Sequence, residues 1–131
     1  MTIRTILVHD EKLATQGLQL RLEAHSDVEV VDTAQNGREA LQALSENTYD
    51  LVLMDVRMPV MDGLEATRAI RTMTGPAADL PIVALTANAA EADEKACREA
   101  GMDAYTAKPL TPQALYEAML QAWTLARSRQ D

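Results

Sequence analysis

Several residue types that define particular protein classes are scarce in this chain. Its one cysteine, Cys97, excludes an internal disulfide and any metal site built from several cysteines. The longest apolar runs, Leu51–Met54 and Ile82–Leu85, are each four residues long, whereas a membrane-spanning helix needs roughly 20 apolar residues. The first residues also lack the apolar segment of a signal peptide. We therefore expect a cytoplasmic protein that does not insert into a membrane.

Aromatic residues and positive charge are also in short supply. The 131 residues include three tyrosines, one tryptophan and no phenylalanine, and 12 basic residues stand against 20 acidic ones, for a net charge of −8. Such a chain repels a phosphate backbone on average and offers few rings on which bases could stack. We expect no direct binding of nucleic acid or membrane. A cation or a basic protein is the more plausible kind of partner.

What the sequence does contain is an alternation of short apolar runs and amphipathic stretches, repeated five times. This alternation is typical of βα units. The third and fourth runs consist only of apolar residues, as expected for central parallel strands buried on both faces. We predict one domain over residues 1–131, with its core at about 4–127, in the α/β class: a single (βα)5 doubly wound parallel sheet. The five runs are Ile6–Val8, Val28–Val31, Leu51–Met54, Ile82–Leu85 and, more weakly, Ala104–Tyr105.

The last predicted helix begins with Thr111 as its N-cap and Pro112 in its first turn. Its apolar residues form two stripes at helical spacing, and one amphipathic helix on a sheet cannot bury both stripes fully. The stripe that we expect in the core is Leu115, Met119, Ala122 and Ala126. The second stripe, which we interpret either as a partner surface or as ordinary exposed apolar residues, is Tyr116, Leu120 and Trp123.

Polar side chains follow the predicted strands at the points where these strands end. Asp10 and Glu11 come after the first run and Asp55 after the third, while Thr86 and Lys108 follow the fourth and fifth. Ligands of doubly wound sheets bind at the carboxyl ends of the strands, so these groups should converge there. Clustered carboxylates repel one another unless a cation neutralises them, and oxygen ligands suit Mg²⁺. A carboxylate beside Mg²⁺, with a lysine and a threonine nearby, is a layout for accepting a phosphoryl group.

Four separated motifs, in this order along the chain, resemble the receiver domain of two-component response regulators. The resemblance covers nearly the whole chain, about residues 4 to 127. It implies a flavodoxin-like sheet with the strand order 2-1-3-4-5. The motifs are Asp10-Glu11, Met54–Gly63, Ala84–Ala87 and Lys108-Pro109.

The resemblance implies a role for individual residues. Asp55 is then the phosphoacceptor, and Lys108 is the partner of the phosphoryl group. Asp10, Glu11, Asp55 and the main-chain carbonyl of Arg57 would hold Mg²⁺, with Mn²⁺ as the alternative ion. These expectations describe a signalling domain that assists its own phosphorylation and dephosphorylation, and not an enzyme.

The resemblance also implies a switch and a set of partners. Thr86 is the expected switch hydroxyl, and Tyr105 matches an aromatic residue that swings inward on activation. Phosphorylation would then change the surface formed by helix 4, strand 5 and helix 5. The expected partner is a sensor histidine kinase or a histidine phosphotransfer protein, and the expected state is a monomer or a phosphorylation-dependent homodimer.

The sequence departs from the pattern of the resembled family at two positions. Glu11 stands where a second aspartate is usual, and its extra methylene group moves the carboxylate by about one C–C bond. Because Mg²⁺ tolerates little departure from ideal geometry, this change should weaken binding or leave Glu11 acting through water. His9 stands where an apolar strand residue is typical. We interpret it as a packed or partly exposed strand residue rather than a metal ligand or proton donor.

Three other functions compete with this interpretation. A degenerate receiver would serve only as a protein-binding module, and the substitutions at His9 and Glu11 leave that open. A phosphatase-like hydrolase with an aspartyl-phosphate intermediate would want a second acid two residues after the nucleophile, where Arg57 stands. A flavin-binding protein would need a phosphate-binding loop of glycine, serine or threonine after the first strand. The mass of the protein after treatment with Mg²⁺ and a small phosphodonor distinguishes these functions.

Overall fold

Five parallel β-strands form one sheet in the order β2-β1-β3-β4-β5. A computed structural model describes residues 2–58, 60–86, 91–107 and 111–130. The predicted α/β class and strand order are confirmed. The strands are β1 (Ile3–Val8), β2 (Val28–Ala34), β3 (Leu51–Asp55), β4 (Ile82–Thr86) and β5 (Ala104–Ala107).

Helices follow the strands and cover both faces of the sheet. They are α1 (Lys12–Leu22), α2 (Gly37–Glu46), α3 (Gly63–Arg71), α4 (Glu91–Ala100) and α5 (Pro112–Gln130), with a short 3₁₀ helix at Pro76–Asp79. Within the described residues, no helix is long and apolar enough to cross a membrane.

The two faces of the sheet pack into two separate cores, because successive strand residues point to opposite sides. Val52 and Met54 of β3 join residues of α2, α3 and α4 in one core, whereas Leu51 and Leu53 join α1 and α5 in the other. Every residue of β3 and β4 is buried. The prediction that these two runs form central strands buried on both faces is therefore confirmed.

Side-chain caps begin three of the helices. Asn36 accepts a hydrogen bond from the backbone N–H of Glu39 at the start of α2, and Asp62 accepts one from Glu65 at the start of α3. Thr111 caps α5 in the same way, as its position in the sequence predicted. Each cap satisfies a backbone donor that has no partner inside its helix. The caps fix where the helices begin relative to the strand ends that precede them.

The second apolar stripe of α5 is largely used inside the molecule. Tyr116 stacks on the ring of His25, with the centroids 3.9 Å apart, and its hydroxyl donates a hydrogen bond to Asp27, which raises the pKa of Tyr116. Tyr116 and Trp123 pack against the second core, and Leu120 is 37% exposed. The stripe is therefore not an open apolar patch. The stripe predicted to face the core is buried as expected: Leu115, Met119, Ala122 and Ala126.

Candidate functional site

The carboxyl ends of the central strands bring three polar residues to one edge of the sheet. His9 directly follows β1, Asp55 is the last residue of β3 and Thr86 is the last residue of β4. All three are buried, and Asp55 is only 4% exposed. A carboxylate at the end of a strand that is buried on both faces has few positions available to it. The fold therefore restricts where the Asp55 carboxylate can lie.

Helix α3 approaches the end of β3 so closely that only glycine fits at its first residue. A Cβ atom built on Gly63 would lie 2.3 Å from the carbonyl oxygen of Asp55, which no real contact permits. The backbone N–H of Gly63 donates to the carbonyl of Val56 across the same junction. The Asp-Gly pair at residues 62 and 63 thus packs the end of β3 against the N-terminus of α3.

His9, Asp10 and Asp55 form one cluster of candidate ligands. Nε2 of His9 lies 3.3 Å from Oδ2 of Asp55, and Nδ1 of His9 lies 3.5 Å from Oδ1 of Asp10. One ligand atom from each of the three side chains lies within 4.8 Å of the other two. The Asp10 side chain is 33% exposed, whereas those of His9 and Asp55 are buried. Asp10 is therefore the more exposed of the two carboxylates and Asp55 the more deeply buried.

The oxygen donors of this cluster suit a hard divalent cation. The two carboxylates of Asp10 and Asp55 repel one another in a partly buried site, and a cation between them removes that repulsion. Arg57, whose carbonyl the resemblance adds to this ligand set, lies two residues beyond Asp55, after the end of β3. These groups fit the oxygen-only ligand set that Mg²⁺ prefers.

Glu11 is placed differently from the other acidic residues of the site. Its side chain is exposed and does not belong to the His9–Asp10–Asp55 cluster. Its backbone N–H, however, donates a 3.1 Å hydrogen bond to Nδ1 of His9. Glu11 is also the N-cap residue of α1, without a capping hydrogen bond from its side chain. The main chain of Glu11 thus contributes to the site.

The remaining predicted site residues lie on the last two strands or beyond them. Thr86 is buried and pairs with Ala107 of β5 in the sheet. Tyr105 is half-buried, pairs with Ala84 and packs against the first core. Lys108 lies outside the described residues.

His9 lies closer to the site than its position in the sequence indicated. It is packed, as predicted, but its ring contacts the candidate phosphoacceptor. A signal was present in the sequence, because His9 directly precedes the acidic pair at the end of a strand. Whether a buried ring at such a position turns toward the site or the core depends on its rotamer. Spacing alone does not determine that rotamer.

Proteins with an open parallel α/β sheet bind their ligands at the carboxyl ends of the strands. This chain has such a sheet, and its acidic cluster lies at that edge. The response regulator receiver domain family matches residues 5–120. The chain therefore belongs to the response regulator receiver domains of two-component systems.

Relatives in this family include a response regulator and parts of larger kinases. A two-component response regulator of Oryza sativa subsp. japonica is 44% identical over 115 residues, which are 86% of this chain and 88% of that protein. The sensor protein GacS of Pseudomonas syringae pv. syringae is 39% identical over 121 residues, which are 91% of this chain but 13% of GacS. The chain thus spans only a small part of the kinases that it matches.

Solved structures of the same family share the fold. The receiver domain of the sensor histidine kinase PA1611 from Pseudomonas aeruginosa PAO1 is 32% identical and superposes with a TM-score of 0.82 over 95% of this chain and 99% of that one. That structure has a magnesium ion coordinated in its active site cleft. A LuxR-family response regulator from Aurantimonas sp. SI85-9A1 gives a TM-score of 0.86 at 31% identity, over 95% and 86% of the two chains.

Proposed function

We propose that this protein is a phospho-accepting receiver domain that takes a phosphoryl group onto Asp55. The donor is the phosphohistidine of a sensor histidine kinase or of a histidine phosphotransfer protein. The observation that carries the proposal is the burial of Asp55 at the end of a central strand, with Asp10 beside it in one cluster. A phosphoacceptor needs both a fixed carboxylate and a cation site next to it.

In the transfer, one carboxylate oxygen of Asp55 attacks the phosphorus atom of the phosphohistidine. The P–O bond to Asp55 forms as the P–N bond breaks, and the imidazole of the donor leaves. When bound, Mg²⁺ would supply positive charge to neutralise the phosphoryl oxygens. The residues that we propose to hold it are Asp10, Glu11, Asp55 and the carbonyl of Arg57.

Two further residues complete the proposed chemistry. The ammonium group of Lys108 would pair with the transferred phosphoryl group, and the hydroxyl of Thr86 would donate a hydrogen bond to it. The position of Thr86 at the end of β4, beside β3, supports this role. Since the group stays on the protein as a signal, we propose a switch and not an enzyme that turns over a substrate.

The output that we propose is a change in the surface formed by α4, β5 and α5. Tyr105 lies in β5, next to the strand that carries Thr86, and is half-buried, so its side chain borders on the surface. A hydrogen bond from Thr86 to a phosphoryl group would favour one of two arrangements of this surface. The partner that reads the change is a kinase, a phosphotransfer protein or a second phosphorylated copy of the chain.

The second candidate is a receiver that only binds proteins and takes no phosphoryl group. The observation in its favour is that the exposed Glu11 carboxylate lies outside the His9–Asp10–Asp55 cluster. A site with one carboxylate fewer would bind Mg²⁺ weakly and would stay unphosphorylated.

The experiment that separates the two candidates is intact mass spectrometry after incubation with phosphoramidate and Mg²⁺. We expect one phosphoryl group on the parent and none on Asp55→Asn. The matched control is Asp62→Asn, because Asp62 caps α3 close to the site and asparagine is an equally good cap. Unmodified parent protein, or equal modification of Asp55→Asn, would contradict the proposal, as would loss of the adduct in Asp62→Asn alone.

A further inference from the structure

The imidazole of His9 makes polar contacts through both of its nitrogens. Nε2 lies 3.3 Å from Oδ2 of Asp55, and Nδ1 accepts a hydrogen bond from the backbone N–H of Glu11 at 3.1 Å. Oδ1 of Asp10 also lies near Nδ1, at 3.5 Å, which is farther away than the nitrogen of Glu11. The residue is 3% exposed. A buried ring held at one nitrogen by the main chain has little freedom to rotate. The fold therefore fixes the position of Nε2 relative to Asp55.

The contact with Glu11 determines which nitrogen of His9 carries the hydrogen. A backbone N–H can only donate, so Nδ1 must offer its lone pair. In a neutral imidazole whose Nδ1 is unprotonated, the hydrogen lies on Nε2. Nε2 then faces the Asp55 carboxylate as a donor. Its 3.3 Å distance is slightly longer than the usual range of about 2.7–3.2 Å, and a small rotation of the carboxylate would shorten it.

In this tautomer neither ring nitrogen of His9 offers a lone pair to a metal ion. The lone pair of Nδ1 is engaged by the main chain, and Nε2 has no lone pair while it carries its hydrogen. A metal ligand would need one of these nitrogens free. Among the three side chains of the cluster, the atoms that this tautomer leaves for an ion are the carboxylate oxygens of Asp10 and Asp55.

We propose that His9 is a positioning residue for phosphoryl transfer, and this inference rests on the function proposed above. Its Nε2–H holds Oδ2 of Asp55, while the main chain of Glu11 holds the ring. A carboxylate that is held at one oxygen rotates less about its Cβ–Cγ bond. The nucleophile is thereby presented in one orientation, which lowers the entropic cost of in-line attack.

Two substitutions separate the roles of the two ring nitrogens. In His9→Gln the amide nitrogen reaches about as far as Nε2, so a donor toward Asp55 is kept. In His9→Asn the amide reaches only as far as Nδ1, so the contact with Glu11 can be kept and the donor toward Asp55 is lost. We expect His9→Asn to accept a phosphoryl group from phosphoramidate roughly tenfold more slowly than the parent does. This loss is smaller than the roughly hundredfold loss of rate that a misplacement of about 1 Å can cause. His9→Gln should recover most of the rate.

The rates are measured as pseudo-first-order phosphorylation at saturating Mg²⁺, with urea unfolding of each variant as a control for stability. An unchanged or faster rate in His9→Asn would overturn the proposal. A rate in His9→Gln that is as low as in His9→Asn would do so as well. A merely structural histidine would lower the stability of both variants and would show no selective rescue by glutamine.

A second measurement needs no variant of His9 and no phosphorylation. The ¹⁵N shifts of the His9 ring in the Mg²⁺-free parent distinguish the two neutral tautomers, and we expect the Nε2–H form. Asp55→Asn should shift the Nε2 resonance, because the partner of this hydrogen changes. An Nδ1–H tautomer, or an Nε2 resonance that ignores Asp55→Asn, would overturn the inference. If the parent takes no phosphoryl group, the proposed function fails, while these shifts still test the contact.

Discussion

Arg71, the last residue of α3, joins its helix to the segment at residues 78–80 and to the more distant segment at residues 101–103. Its side chain is 20% exposed and donates hydrogen bonds to main-chain carbonyls and to a buried carboxylate. The distances from its nitrogens are 2.7 and 3.0 Å to the carbonyl of Gly101, 2.9 Å to Ala78, 2.7 Å to Leu80 and 3.0 Å to Oδ2 of Asp103. The planar guanidinium group suits this arrangement, because its donors point in several fixed directions.

We expect Arg71→Met to lower the free energy of unfolding by about 3 kcal/mol. Removing one partner of a buried ion pair costs roughly 3–5 kcal/mol, and the partial exposure of Arg71 places the loss at the lower end of this range. Methionine keeps most of the apolar stem, so the loss reports the guanidinium contacts and not a cavity. Against a typical total stability of about 5–15 kcal/mol, the loss is large.

The measurement is urea unfolding followed by circular dichroism. Arg68→Met is the matched control, because Arg68 lies on the same helix, is exposed, and should cost less than about 0.5 kcal/mol. Arg71→Lys should recover only part of the loss, since one ammonium group cannot reach all four acceptors. A loss below about 1 kcal/mol in Arg71→Met, or one equal to that in Arg68→Met, would refute this reasoning.

Four other substitutions give signed expectations. Val60 is 70% exposed and has a φ of +69°, a conformation that is costly for a β-branched residue. Val60→Gly should therefore raise the free energy of unfolding, measured by urea unfolding, by about 1 kcal/mol. No gain would show that the turn is unstrained. Gly63→Ala should lower the free energy of unfolding by roughly 1–3 kcal/mol and slow the phosphorylation of Asp55, because the new Cβ atom would clash with the backbone of β3. Alanine favours a helix more than glycine does, so a stabilised variant would contradict the clash. Glu11→Asp should tighten Mg²⁺ binding about fivefold in a titration, and equal or weaker binding would show that the native glutamate is well placed or uninvolved. Burial and a 2.5 Å hydrogen bond to Asp32 raise the pKa of Tyr49 from 10.0 to about 12. The stabilisation that this shift represents is complete below pH 10 and is lost as the pH rises to about 12, so unfolding titrations should show the parent losing stability over this range and Tyr49→Phe losing less.

The sequence alone determined the elements of the fold and the edge at which the site lies. Unbroken apolar runs are possible only where both faces of a strand are covered, so β3 and β4 were identifiable without the structure. Local hydrogen bonds determine helix starts, and for that reason the cap at Thr111 could be predicted from neighbouring residues. The strand order came from the resemblance of four motifs to a known family.

Only the tertiary structure decided which side chains contact one another across long stretches of sequence. His9 reaches Asp55 because β1 and β3 are neighbours in the sheet and because the backbone of Glu11 holds the ring. Tyr116 bonds to Asp27, 89 residues away, which turns a predicted exposed stripe into packing. Sequence periodicity specifies which face of an element is apolar. The rotamer of a side chain and its nearest partner depend on the positions of every neighbouring element, which are fixed only when the whole chain is folded.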